Sequence, residues 1–304
     1  MKKVRELSSE DCKEVVVSIC CITYNHVSYI EEAIESFLNQ EVDFGVEILI
    51  NDDASVDGTS QIIVKYTALY PHIIKPIIQD SNQYSKGVRG MNISYNFPRC
   101  KGKYIALCEG DDYWTYEKKL LDQVNYLENH VNYAMCFHNA LVIDDVKNVS
   151  YEFNNLEIGE VTGKEVLQRW IVPTASVVFR SEVILTLQSL DMKNIIFGDI
   201  VMFLGAIEYG KAYYISKESW SVYRKHVGGV TFKKKITEKH YLDFISHYEA
   251  LDKLFYYKYR MICYKIRLKS NLSLLRYYIK ERKLALSFKQ VQIVFKEVIK
   301  FISN

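Results

Sequence analysis

The chain has 304 residues, 49% of them apolar, with 39 Lys and Arg against 37 Asp and Glu. That is ample for the core of one large domain or two modest ones. No apolar run approaches the roughly 18 to 20 residues that a bilayer-spanning helix needs, and the charged first residues are not followed by a long apolar region, so a soluble, cytoplasmic protein is expected.

Seven cysteines, odd in number and without a C-x-x-C pair, read as buried thiols in a reducing compartment and argue against a disulfide framework or a zinc site. The net charge of +2 hides an asymmetry. From Phe232 onward there are 17 Lys and Arg against 6 Asp and Glu, whereas residues 1–231 hold 22 against 31. An acidic body with a basic tail suggests two surfaces with different partners.

Val15–Ile22 is β-branched, continuous and short, which predicts a strand buried on both faces of a parallel sheet. It runs into the polar loop Thr23-Tyr24-Asn25-His26. Ser28 and Glu31 then form an S-x-x-E capping-box pattern ahead of a helix whose apolar face is Ile30, Ala33, Ile34, Phe37 and Leu38. A second unit repeats the plan, with Val46–Ile50 as strand, Asn51–Thr59 as polar loop and a helix through Ile62, Ile63, Tyr66 and Leu69 that Pro71 ends. Ile73–Ile78, interrupted by Pro76, predicts a third strand near an edge. A polar loop from Gln79 to Gly90 and a short helix lead to the strand Lys103–Leu107.

That strand opens onto Cys108-Glu109-Gly110-Asp111-Asp112-Tyr113-Trp114, three carboxylates in four positions followed by two aromatics suited to walling a pocket. Carboxylates packed so closely repel, and a cation, a ribose or a proton-accepting task would offset the repulsion. Alternating strands and helices imply an open α/β sheet, whose ligand lies beyond the carboxyl ends of the strands. All three polar loops fall there.

Farther on, Leu120, Val124 and Leu127 predict a helix, Tyr133–His138 a strand, 144–162 loops or an edge hairpin, and Pro173–Arg180 another strand. Gly198-Asp199 opens an almost wholly apolar helix. A strand pair is expected over Ala212–Val222, ahead of Tyr223-Arg224-Lys225-His226-Val227-Gly228-Gly229-Val230. From Thr237 the pattern is helical, and the mix of apolar residues with Arg276, Lys280, Arg282, Lys283, Lys289, Lys296 and Lys300 suggests either helices packed by one face or a basic amphipathic surface for anionic lipid. Nucleic acid is not expected as a partner.

No G-x-G-x-x-G follows the first strand, and no G-x-x-x-x-G-K-[ST] exists. Phosphates would therefore be held through carboxylates carrying a divalent cation, with oxygen ligands favouring Mn2+ or Mg2+ over zinc.

Val17-Ser18-Ile19 through Thr23-Tyr24-Asn25, Asn51–Thr59, and Lys101–Leu107 before Glu109-Gly110-Asp111-Asp112 together resemble family 2 glycosyltransferases of the GT-A fold, over residues 15 to about 130. Gly198-Asp199 resembles the family's catalytic-base motif and Tyr223–His226 its closing segment. The resemblance implies a GT-A domain over 1–231 (nucleotide half 15–130, acceptor half 131–231), followed by a basic helical extension over 232–304. It implies inverting sugar transfer from a nucleotide diphosphate donor, a UDP-sugar first, to an acceptor hydroxyl. Thr23, Tyr24 and Asn25 would line the nucleotide pocket, and Asp52 and Asp53 would accept hydrogen bonds from uracil or ribose. Glu109, Asp111 and Asp112 occupy the D-x-D region, Asp111 facing ribose and metal and Asp112 the metal, with Glu standing where the family often has Asp. Asn82 joins the nucleotide site, and Arg89 and His226 serve the diphosphate and its cation. Asp199 would be the base, its pKa raised by an apolar patch of Phe197 and Trp220. The expected acceptor is a glycan or lipid-linked glycan of a surface polysaccharide, met at the inner face of the membrane through the basic tail. The rival readings are a sugar-phosphate nucleotidyltransferase and a non-catalytic scaffold on the same fold.

Overall fold

In the computed structural model, residues 1–229 and 237–302 are described, with side chains to residue 299. The domain boundary placed at 231/232, and Val230 at the end of the stretch that begins with Tyr223, lie outside them. The chain forms two compact units, one of Met1–Ser189 with Asp199–Phe232, the other of Leu190–Gly198 with Lys233–Asn304.

The first unit is built on a ten-stranded mixed sheet. In chain order its elements begin with β1 (Lys2–Lys3), which pairs outside that sheet with β3. They continue with β2 (Val15–Thr23), α1 (Ile30–Leu38), β3 (Glu41–Val42), β4 (Gly45–Asp52), α2 (Thr59–Leu69), β5 (Ile74–Ile78), β6 (Tyr104–Leu107) and β7 (Tyr113–Trp114). Then come α3 (Lys119–Asn129), β8 (Tyr133–Asp144), β9 (Val149–Glu152), β10 (Gly159–Val161), α4 (Gly163–Gln168), β11 (Val178–Arg180), α5 (Val183–Gln188), α6 (Gly198–Tyr209) and β12 (Lys211–Lys225). The main path runs β10-β12-β8-β11-β6-β2-β4-β5, with β7 on β12 and β9 on β8.

β2, β4, β5 and β6 are mutually parallel, so Thr23, Asp52 and Leu107 all end at one side of the sheet. β2 and β4 can be interior strands because both of their faces are apolar, as Val17, Ile19, Cys20, Ile48, Leu49 and Ile50 are essentially inaccessible to water. Phe37, Ile34, Ile63, Leu120 and Leu127 from α1, α2 and α3 complete the cluster. Each such side chain contributes about 1.5–3 kcal/mol by leaving water. Pro76 sits on β5, which pairs with β4 alone along the main path, so its missing N–H faces no strand there.

Three expectations change. α1 starts at Ile30 with Tyr29 at its cap and no side-chain cap bond. Glu31 instead accepts hydrogen bonds from Lys65 and Tyr66 of α2, a longer-range pairing that replaces the Ser28 capping box. Lys211–Lys225 is one strand rather than a pair, because the polar stretch Ser216–Ser219 is absorbed as irregularities in its parallel pairing with β8. Trp114 is core rather than pocket wall: its ring lies 4.8 Å from Phe37 and its indole N–H donates to the Ala175 carbonyl at 2.7 Å.

The second unit contains α7 (Glu238–Leu254), α8 (Arg260–Lys280) and α9 (Leu284–Ile302). Thr237 caps α7, its hydroxyl accepting the His240 N–H. Among the described residues no helix is long and apolar enough to cross a membrane.

Candidate active site

The loop after β2 is stitched to the loop after β4. Asn25, at φ +54°, donates its N–H to Ser55 Oγ at 2.8 Å and accepts the Val56 N–H on Oδ1 at 2.9 Å. The His26 N–H donates to Thr59 Oγ1 at 2.8 Å and the Val27 N–H to Asp57 Oδ2 at 3.0 Å. These bonds fix the Thr23–Val27 backbone at the mouth of β2, with Tyr24 exposed and Thr23 buried against Gly110. A Cβ on Gly110 would fall 2.5 Å from Thr23 Oγ1, so only glycine lets the acidic turn approach this closely.

Asp52 and Asp53 end β4 and hold loops. Asp52, wholly buried, accepts hydrogen bonds from the Ser55 N–H, the Ser55 hydroxyl and the Ser60 hydroxyl. Asp53 accepts the Gln83 N–H at 2.7 Å and the Tyr84 N–H at 3.0 Å, pinning the 79–90 loop to the sheet end. Within that loop Asn82 Oδ1 accepts the Ser85 N–H, and Arg89 donates to the carbonyls of Tyr84 and Val88 while stacking 4.4 Å from the Tyr84 ring.

At the end of β6, Glu109, Asp111 and Asp112 bring carboxylate oxygens within 4.8 Å of one another. Asp112 is 1% exposed; its Oδ1 accepts the Arg224 N–H at 2.9 Å and its Oδ2, also buried, accepts nothing. Burial, then the charges of Asp111 and Glu109, push the Asp112 pKa well above the ordinary value. Burial, then Asp111 and Asp199, push Glu109 to about 8. Asp111 goes the other way. Although burial opposes it, a hydrogen bond from His226 and the two nearby imidazoles hold its carboxyl below the usual range. His226 Nε2 lies 3.0 Å and His26 Nε2 3.7 Å from Asp111 Oδ2, and Thr23 Oγ1 meets His26 Nδ1 at 3.1 Å.

Arg224 closes the turn from β12. Its guanidinium donates to the Asp111 carbonyl at 2.8 Å and to Glu32 of α1, and stacks 4.4 Å from the Tyr113 ring. Tyr29 packs on the His226 ring at 4.7 Å.

Asp199 stands in the first turn of α6, one oxygen accepting the Ile200 N–H at 2.9 Å, and burial raises its pKa to about 6. Its charge is felt at Glu109, and those of Asp52 and Asp111 are felt at His26, so these acids act on one region. Within their own units Phe197 meets Phe244 and His247, and Trp220 rests on Tyr116 and His138; burial is the leading cause of the Asp199 shift.

The structure thus gathers Glu109, Asp111, Asp112 and His226, with Thr23 beside them. It places Asp52, Asp53, Asn82 and Arg89 in the loop network at the same sheet end. His26, Tyr29 and Arg224 are site residues that the sequence reading did not select. His26 directly follows the Thr23-Tyr24-Asn25 loop, a usable signal, whereas Arg224 and Tyr29 reach the turn only through tertiary contact.

The profile of Glycosyl transferase family 2 matches residues 18–178, just over half of the chain. The chain belongs to glycosyl transferase family 2. An uncharacterised protein of Mycobacterium tuberculosis, Rv1520, is 34% identical over 224 residues, covering 70% of this chain and 60% of that protein. The chain spans about 60% of the length of the first curated relatives it matches. The Escherichia coli protein WfaP, named a UDP-Glc:α-D-GlcNAc-diphosphoundecaprenol β-1,3-glucosyltransferase, is 35% identical over 113 residues, or 37% of this chain and 41% of its own. Staphylococcus aureus TarS 1–349, solved with UDP, superposes with a TM-score of 0.60 at 18% identity over 87% of this chain and 72% of that one. The fold is GT-A, a curled mixed sheet flanked by helices, followed by α7–α9.

Proposed function

We propose that this family 2 glycosyltransferase transfers a sugar with inversion from a UDP-sugar to a hydroxyl of a glycan or lipid-linked glycan, with Mn2+ or Mg2+ at the acidic turn. The observation that carries the proposal is Asp112 Oδ2, a buried carboxylate oxygen without a partner, among the oxygens of Glu109 and Asp111. Three carboxylates, none with an ion pair to an ammonium or guanidinium among the described residues, suit a hard divalent cation, and His226 Nε2 adjoins them as a further donor. Such a cation supplies charge neutralisation for the diphosphate as it leaves.

The remaining work belongs to side chains. The Thr23–Asn25 loop and the Asp52 and Asp53 networks shape the nucleotide end, and Arg224 holds the acidic turn in place from β12. The acceptor oxygen forms its bond to the anomeric carbon as the bond from that carbon to the diphosphate breaks, and the hydroxyl proton passes to Asp199. A carboxyl with a pKa of about 6 is largely ionised at pH 7, yet more basic than an ordinary aspartate. UDP in the TarS complex and the UDP-Glc in the WfaP name favour a uridine donor, and the diphosphoundecaprenol in that name favours a lipid-linked acceptor.

The test is a panel of nucleotide sugars screened for Mn2+-dependent release of the nucleoside diphosphate. Asp199→Asn should lower turnover by 10²-fold or more, on the order expected of general-base loss, while nucleotide binding survives. Asp112→Ala should abolish metal-dependent binding. Equal loss of binding in both variants would overturn this division of roles. Binding without release or transfer for every sugar tried would favour the scaffold reading.

A further inference from the structure

α9 leaves a row of large apolar side chains in solvent. Surface helices ordinarily bury their apolar face and present a polar one, but the seam between α8 and α9 is polar. Gln290 Nε2 donates to Asn271 Oδ1 at 2.7 Å, the Tyr264 hydroxyl donates to the Glu297 carbonyl at 3.1 Å, and Arg267 lies 3.7 Å from the Glu297 carboxylate. Ser287 and Gln290 are the α9 side chains most deeply buried. Bordering that seam on one side, Leu284, Phe288, Val291 and Phe295, spaced four, three and four residues apart, lie within a narrow arc of the helix. Leu284 is 73%, Phe288 77% and Phe295 65% exposed.

The charges beside this stripe say what it fits. Lys289 and Lys296 each follow one of its phenylalanines and stand, exposed, on its shoulder, and Arg282 and Lys283 precede it. Glu297 is the sole acid of α9, and it is engaged with Arg267 in the seam, so the outward face carries no carboxylate. Apolar side chains bordered by lysines, without acids, match the acyl boundary and phosphate layer of an anionic bilayer, with the lysine stems reaching outward to the headgroups. A second copy meeting the same face would set lysines against lysines. We propose that α9 lies in the plane of an anionic lipid surface, inserting Leu284, Phe288, Val291 and Phe295 and pairing Lys289 and Lys296 with headgroup phosphates.

Flotation of the full chain with vesicles tests this. The probes are phosphatidylcholine alone and phosphatidylcholine carrying about 30% phosphatidylglycerol, with free inorganic phosphate as a competitor. The chain should bind the anionic vesicles at least about tenfold better than the neutral ones, and millimolar phosphate should not displace it. Phe288→Glu with Phe295→Glu should reduce binding to both vesicles by at least about tenfold at unchanged helical circular dichroism. Lys289→Glu with Lys296→Glu should remove the preference for anionic vesicles while leaving weak neutral binding. Absence of vesicle binding, or equal binding by the phenylalanine variant, would overturn the proposal. So would a dimer in light scattering that the phenylalanine variant makes monomeric, since the stripe would then join two copies. Nucleoside diphosphate release in solution reads the first unit and should be unchanged in both variants, so failure here leaves the catalytic proposal standing.

Discussion

Asp112 shows how one atom can set the chemistry of a site. One of its oxygens is satisfied by a backbone N–H and the other by nothing, in a place where two further carboxylates stand within reach. Protons and a divalent cation compete for such oxygens, so Mn2+ affinity should tighten as pH rises from 6 to 8, by up to about tenfold per pH unit for each proton displaced. Isothermal titration calorimetry in two buffers of different ionisation enthalpy would count the protons, and a flat profile would remove Glu109 and Asp112 from the metal set. The stability consequence has the opposite sign in the metal-free protein. A carboxyl whose folded pKa is raised binds its proton more tightly when folded, so its contribution to stability is lost as pH climbs from the unfolded value through the folded one. Asp112→Asn should therefore come nearest the metal-free wild type below about pH 3.8 and exceed it increasingly toward pH 8, by roughly 2–4 °C in melting temperature per kcal/mol relieved. Three acids in four positions were legible in the sequence because local density alone makes them anomalous. The Tyr223–His226 segment stood out too, but the contacts of Arg224 did not, since its partners Asp111 and Glu32 lie 113 and 192 positions away.

Among elements, the first two strand–loop–helix units could be read directly, because buried parallel strands announce themselves as apolar runs and their loops as polar interruptions. The chain was less readable wherever a tertiary partner outbid a local one. Glu31 prefers Lys65 and Tyr66 of α2 to the cap of its own helix. Gly110 belongs to this scale, because it is where the turn after β6 meets the end of β2. Gly110→Ala would force a Cβ to within 2.5 Å of Thr23 Oγ1, costing about 1–3 kcal/mol and displacing the turn. Differential scanning fluorimetry should show a lower melting temperature and a smaller rise on adding Mn2+. The clamp from Asp53 to the 79–90 loop makes a separate prediction. Asp53→Ala frees the Gln83 and Tyr84 amides, and should raise KM for the nucleotide sugar about tenfold or more with a smaller change in kcat.

For the molecule as a whole, the uneven charge was visible in composition, while the exposure of the α9 stripe was not. A helical wheel finds an apolar stripe, but only the burial of Ser287 and Gln290 beside it shows that the stripe is left in solvent. Thiol chemistry is a global test of packing. All seven cysteines are free, and only Cys12 and Cys100 are less than fully buried. Ellman's reagent should thus titrate seven thiols in denaturant but no more than about two quickly in the native protein. Rapid reaction of five or more would mean that the sheet is looser than described. β12 finally ties distant parts of the first unit together. Its course from Lys211 to Lys225 passes only Tyr133 to Asp144 of β8, so slack is stored in its irregular pairs. That slack works as a vernier: removing one residue between Ser216 and Ser221 would draw the strand's far end back by about 3.3 Å and reverse which way its side chains point. Lys225 would then arrive where Arg224 now locks the acidic turn, which makes the length of this plain-looking polar stretch as consequential for the reaction centre as any carboxylate in it.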